Sequence, residues 1–410
     1  MPLREKLLER FFRYLAIESQ SDAAAGTLPS TPGQQVLADL LSDELRALGL
    51  DQVVVDEHAT VTALKRGTRA DAPRIGFCAH LDTVDVGLSA AITPQLLRFE
   101  GEDLRLNAEQ EIWLRVADHP EIAPWKGHDI VFSDGTSVLG ADNKSAIAII
   151  MTLLAELTPE DAHGDIHVAF VPDEEIGLRG AKALDLARFP CDFAYTIDSC
   201  ELGEVVVETF NAAAAEIRFI GVSAHPMSAK GVMVNPLLMA QDFVAAFDRA
   251  ETPENTEGRE GYVWFQSLNA TPAEATLKAN IRDFNRETFA ARKRRIAEVG
   301  AEIAGHYPTG QVSWEVRDVY GNIGDSLGDD RRSVDLLMSA LAHLQIAPKV
   351  IPMRGGTDGS ALSARGLPTP NFFTGAHNFH SRFEFLPVPA FEASYRVARE
   401  ICLLAARSTD

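Results

Sequence analysis

Residues 166–177 read Ile166-His167-Val168-Ala169-Phe170-Val171-Pro172-Asp173-Glu174-Glu175-Ile176-Gly177. A short β-rich apolar run that stops at a proline reads as a buried strand. Three successive carboxylates follow at its end, where mutual repulsion and desolvation are costly unless a cation or proton offsets them. Two other runs share this design. Ile75-Gly76-Phe77-Cys78-Ala79 leads into His80-Leu81-Asp82, and Phe193-Ala194-Tyr195-Thr196-Ile197 leads into Asp198. Between them residues 143–157 are rich in Ala, Ile and Leu and read as a buried helix. Strands alternating with helices indicate an α/β sheet, and such sheets place their sites at the strand ends.

Towards the N-terminus, Leu3, Leu7, Leu8, Phe11, Phe12 and Leu15 recur at helical spacing. So do Val36, Leu37, Leu40, Leu41, Leu45 and Leu48, which precede Gly49, a natural C-terminal cap. Beyond about Phe210 the pattern changes, because Glu216-Ile217-Arg218-Phe219-Ile220 alternates polar and apolar side chains as a half-exposed strand does. A helix over 236–247, a strand over 275–284, a charged helix over 286–306 and a strand over 312–316 complete a small inserted domain. The expected division is therefore 1–208 and 319–410 for the main domain and 209–318 for the insertion. A final helix is expected near 391–406, after the turn-rich Arg354-Gly355-Gly356-Thr357-Asp358-Gly359.

A chain of 410 residues exceeds what one core usually organises, which also favours two domains. Its 38 basic and 59 acidic residues leave a net charge of −21, which repels phosphate backbones and anionic lipid and disfavours nucleic-acid and membrane partners. No apolar run approaches the roughly 20 residues of a membrane span, and the opening segment lacks a signal-peptide core. Cys78, Cys191, Cys200 and Cys402 show no C-x-x-C spacing. The expectation is a cytoplasmic protein with reduced thiols.

Taken singly, most polar strand ends have ordinary readings. His80 and Asp82 could be a hydrogen-bonded pair, Asp142 in Gly140-Ala141-Asp142-Asn143-Lys144 a helix N-cap, and His380 in Asn378-Phe379-His380-Ser381-Arg382-Phe383-Glu384-Phe385 a packed core histidine. The carboxylate run at 173–175 argues otherwise. Together His80, Asp142, Glu175, Asp198 and His380 form a mixed nitrogen and oxygen donor set, which suits zinc better than magnesium or calcium.

In this order these motifs resemble the co-catalytic zinc peptidases, a family that includes aminoacylases, glutamate carboxypeptidases and peptidase T. Pro29-Ser30-Thr31, the run 168–175, Ala229-Lys230-Gly231-Val232-Met233-Val234-Asn235 and the turn 354–359 resemble peptidase T in particular. The resemblance implies an α/β catalytic domain with a central mixed sheet between helices, and an inserted α+β, ferredoxin-like lid domain. It implies two zinc ions per subunit, His80 and Asp198 on one, Glu175 and His380 on the other, with Asp142 shared. Asp82 would orient His80, and Glu174 would be the general base.

His225 would help hold the substrate carbonyl, and Arg282 and Arg354 would grip the peptide carboxylate. The implied activity is removal of the first residue from short peptides, in particular tripeptides. A carboxypeptidase or N-acyl amino acid hydrolase is the alternative with the same centre, and a silent peptide-binding or metal-storage protein is the remoter one. Relatives pair through the inserted domain, which makes a homodimer the expected assembly. Met227-Ser228 and Phe383 depart from the family pattern, as does Asn143, beside which relatives often carry a cis peptide. His377 is a competing ligand candidate three residues before His380.

Overall fold

All six side chains of the strand Ile166–Val171 are buried. It lies parallel to Ile75–His80 on one side and antiparallel to Val61–Lys65 on the other. Ile75–His80 is in turn parallel to Phe193–Ser199, which pairs parallel with Asn371–Phe373. The complete eight-stranded order is Asp51–Val55, Val61–Lys65, Ile166–Val171, Ile75–His80, Phe193–Ser199, Asn371–Phe373, Glu204–Thr209, Lys349–Met353. This is a mixed sheet with a parallel centre. The central strands are apolar along their length because both of their faces are covered, and their adjacency brings three polar carboxyl ends side by side. The computed structural model describes residues 1–328 and 330–407.

The helix Ala141–Glu156 is buried at every position from Ala141 to Leu154. A helix that is apolar all round needs neighbours on every side. It finds them in Leu7 and Phe11 of Leu3–Leu15, Phe77 and Phe170 of the sheet, and Phe391, Ala398 and Ile401 of Val388–Arg407. A smaller sheet, Phe385–Pro387, His128–Ser133 and Pro94–Phe99, closes over Phe99, Ile130, Phe132 and Phe385. It anchors the loop that carries His380. All four cysteines are free thiols. Among the described residues no helix is long and apolar enough to cross a membrane.

The chain divides into two compact units, the first comprising Met1–Val207, Ser326–Ile351 and Thr357–Asp410, and the second Glu208–Asp325 with Pro352–Gly356. In the second unit the antiparallel order is Tyr262–Ala270, Glu274–Asp283, Asn211–Ile220, Gln311–Tyr320, with helices Pro236–Ala245 and Arg286–His306. This β-α-β-β-α-β arrangement is ferredoxin-like. Its core is Ile217, Phe219, Phe243, Leu277, Ile281, Ile296 and Val299.

Two local readings of the sequence change here. The strand Tyr262–Ala270 was not anticipated, because an edge strand with mostly exposed side chains carries no apolar alternation. The last strand extends to Tyr320 and not Val316, so the second unit runs past 318 to Asp325. It also takes in the short segment with Arg354.

Candidate metal centre

Each chemical group arrives at the centre from a separate element. His80 closes its strand, Glu174 and Glu175 follow Ile166–Val171, and Asp198 lies near the end of Phe193–Ser199. Asp142 opens the central helix from a turn in which Gly140 is left-handed, at φ 73°, and its peptide bond to Asn143 is cis. His380 comes from the loop before Phe385–Pro387.

These residues converge. Donor atoms of His80, Asp142 and Asp198 lie within 4.8 Å of one another, and so do those of Asp142, Glu175 and His380. Asp142 belongs to both groups, with Oδ1 2.9 Å from His80 Nε2 and Oδ2 3.1 Å from His380 Nε2. Glu175 Oε1 is 2.9 Å from His380 Nε2, and Asp198 Oδ1 is 3.9 Å from His80 Nε2. Each group offers one imidazole nitrogen and two carboxylate oxygens, which leaves a fourth tetrahedral position open, as catalytic zinc sites do. The residues present therefore fit a metal site.

The surrounding groups orient the ligands. His80 Nδ1 lies 2.9 Å from the carbonyl of Asp82 and 3.3 Å from its Oδ1. With the Nδ1 proton held there, Nε2 faces the centre. The Asp82 carboxylate also accepts the backbone N–H groups of Glu174, at 3.0 Å, and Glu175, at 3.2 Å. Asn143 donates to Asp198 Oδ1 at 2.9 Å and to the Ile197 carbonyl at 2.8 Å. Glu174 is 9% exposed, and its carboxylate comes within 4.8 Å of donors on His80 and Glu175. Asp173 turns away. Its carboxylate accepts from Ser30 N–H, Ser30 Oγ and Gln34 Nε2, with Arg179 3.5 Å away, so only two of the three successive carboxylates face the centre. His377 also lies outside, stacked on Phe385 at 4.7 Å and accepting from Trp125 Nε1.

Three buried groups in the first unit were not picked out as site residues from the sequence. Glu384 accepts from the N–H groups of Gly140 and Asp142. Asp358 is 1% exposed, and neither of its carboxylate oxygens has a hydrogen-bond partner among the described residues. Burial pushes it up to about 7. Lys144 is fully buried with Nζ donating to the Ile17 carbonyl, and burial lowers its ammonium to about 7. All three stood in quoted motifs, yet nothing in their spacing distinguished them from surface charges.

His225, Arg282 and Arg354 lie in the second unit. His225 is exposed, and its Nδ1 accepts the Met227 N–H at 3.2 Å, which leaves Nε2–H free to donate. Arg282 donates to the carbonyls of Ala213 and Ile281 and lies over the Tyr320 ring. Arg354 donates to the carbonyls of Gly258 and Glu260 and to Thr256 Oγ1, and stacks over Phe210 and Tyr262. Neither arginine forms an ion pair with a described carboxylate.

Burial opposes charging His80 and His380. Hydrogen bonds to Asp142, joined by Asp82 for His80 and Glu175 for His380, overcome it and raise both, His380 to about 11. Burial likewise opposes the Asp142 charge, but the two histidines hold it below the usual carboxylate range. Burial first, and then the Asp142 charge, pushes Glu175 up to about 7 and raises Asp198.

The signs then fix a pH dependence. The raised histidines contribute stability that is full below their unfolded value of 6.5 and is lost as pH rises toward their folded values. Raised Glu175 adds a penalty that grows between 4.5 and about 7. Metal binding must displace these protons and strengthens over the same range. The Tm difference between metal-loaded and chelator-treated protein is expected to widen from about pH 5 to about pH 8. A gap that narrows would contradict the assignment of these groups to a cation site.

Comparison with known proteins agrees with this architecture. A family profile described as peptidase dimerisation domain matches residues 207–310, and one for M42 glutamyl aminopeptidases matches residues 126–217. The chain is 64% identical over 406 residues to a peptidase T-like protein of Rhizobium meliloti (strain 1021), covering 99% of this chain and 100% of that one. It is 44% identical to peptidase T of Geobacillus sp. (strain WCH70), covering 98% and 99%. Among solved structures it is similar in fold to aminopeptidase PepT from Bacillus cereus, with TM-score 0.77, 21% identity and coverage of 98% and 99%. A tripeptidase from Staphylococcus aureus gives TM-score 0.77 at 22% identity, with the same coverage. Identity above 40% along nearly the whole length, on this fold, makes the chain a member of the peptidase T family.

Proposed function

We propose that the protein is a two-zinc aminopeptidase that hydrolyses the first bond of tripeptides. The observation that carries this is Asp142, whose two oxygens each face one histidine, with Glu174 buried alongside. His80 and Asp198 would hold one zinc, Glu175 and His380 the other, and Asp142 both. Two imidazole donors favour zinc over harder cations, and three carboxylates offset most of the charge of about +4. Bound zinc supplies Lewis acidity, lowering the pKa of water and polarising the scissile carbonyl.

Glu174 then takes the proton from the attacking water and returns it to the leaving amine. Asp82 keeps His80 in the required tautomer and fixes the backbone of Glu174 and Glu175. His225 would donate from Nε2 to the substrate carbonyl oxygen. Arg282 and Arg354 would recognise the terminal carboxylate, for which their lack of a carboxylate partner among the described residues leaves the charge available. Residues 209–318 would form the lid and dimer-forming domain of a cytoplasmic homodimer, and the profile match over 207–310 supports the dimer-forming part of that reading.

The names of the two solved relatives, an aminopeptidase and a tripeptidase, support the substrate class. The test is product analysis with zinc restored, using a free tripeptide, its N-acetylated form and a tetrapeptide. The free tripeptide is expected to be cleaved fastest, releasing its first residue. Faster turnover of the acetylated peptide would instead establish the acyl hydrolase or carboxypeptidase alternative.

A further inference from the structure

A buried carboxylate that belongs to neither donor group grips the backbone that carries the shared ligand. Glu384 is 1% exposed. Its Oε2 accepts the Gly140 N–H at 2.8 Å, and its Oε1 accepts the Asp142 N–H at 3.1 Å. Two backbone donors separated by one residue, with Gly140 left-handed, make a small anion nest. The Glu384 carboxylate fills that nest.

The covalent path adds a second constraint. Glu384 lies four residues after His380, and its own N–H closes a turn onto the Ser381 carbonyl at 3.1 Å. One tight loop therefore delivers His380 Nε2 to Asp142 Oδ2 and the Glu384 carboxylate to the Asp142 backbone. Asp142 is fixed from both ends, its side chain by the two histidines and its main chain by Glu384.

We propose that Glu384 is a positioning residue, which sets Asp142 and His380 at the separation two cations require. This rests on the reading of Asp142 as the shared ligand. A carboxylate is needed because both groups it meets are donors. A glutamine of the same shape would accept from one and set its own NH2 against the other.

The experiment compares E384Q and E384D with the native chain, using zinc affinity by chelator competition and the Tm of metal-free protein. E384Q is expected to bind zinc about 10- to 100-fold more weakly, the range for losing a group that orients a ligand. E384D, which keeps two acceptor oxygens on a shorter stem, is expected to fall between. At saturating zinc, kcat for a tripeptide should fall while KM stays near the native value, because the lost group touches no substrate. A purely structural role would lower the metal-free Tm in both variants and leave zinc affinity unchanged. Native-like zinc affinity in either folded variant overturns the proposal, and so does failure of both variants to fold, since that makes Glu384 a requirement of the fold itself. Failure of the underlying reading looks different: the native protein would then not take up a pair of zinc ions.

Discussion

Glu174→Gln is expected to lower kcat by roughly 10²–10⁴-fold, the span that positioned proton transfer contributes, while zinc content stays at the native level. The amide keeps the volume of the side chain and cannot accept a proton. Burial pushes the Glu174 carboxyl well above the usual range, with the nearby charges of Asp198 and Glu175 acting in the same sense and that of His80 against. Removing the charge therefore should not destabilise the metal-free protein at neutral pH, and its Tm is expected to stay level or rise. Glu174 also falls within 4.8 Å of donors on His80 and Glu175, so a ligand role has to be separated from a base role. Zinc stoichiometry on the variant does this. Retained metal with lost turnover identifies the base, whereas loss of one ion together with activity would make Glu174 a ligand and leave the mechanism without its proton acceptor.

Asp142→Ala is expected to remove the pair as a pair. Losing a group that merely orients a ligand costs about 10- to 100-fold in metal affinity, and Asp142 belongs to both donor groups, so a loss of at least about 100-fold for the weaker site follows. Each remaining group would hold only two protein donors, His80 with Asp198 and His380 with Glu175. Zinc content by elemental analysis should fall from two per chain to one or none, with peptide hydrolysis lost in parallel. In the metal-free state His80 loses the acceptor at 2.9 Å that keeps it charged, so its titration is expected to move down, readable by NMR of the imidazole. A variant that still loads two ions would mean that another carboxylate joins the two sites.

Much of this centre was legible before any coordinates. A strand buried on both faces must be apolar throughout, so Ile166–Val171 declared itself, and with it the strain of placing Glu174 and Glu175 at its end. The Ala-, Ile- and Leu-rich helix expected over 143–157 was equally plain, and it forms as Ala141–Glu156. The five ligand candidates and Glu174 were reached by residue type, strand ends and family resemblance together. The strand Tyr262–Ala270 was not, because a half-exposed edge strand has no hydrophobic period to read.

By itself, the sequence determined which segments must be buried and which of them end in groups too polar to be buried alone, because those properties follow from local periodicity and from the cost of desolvating charge. Tertiary structure decided which way each polar group faces. Asp173, adjacent to Glu174 in the chain, turns with φ 56° to Ser30 and Gln34 about 140 residues away and leaves the centre. Glu384 meets Asp142 across a separation of 242 residues, and His80 meets the same residue across 62. Such pairings depend on strand order and loop path, which no local pattern encodes, and so the partners of a buried carboxylate are known only once the sheet is assembled.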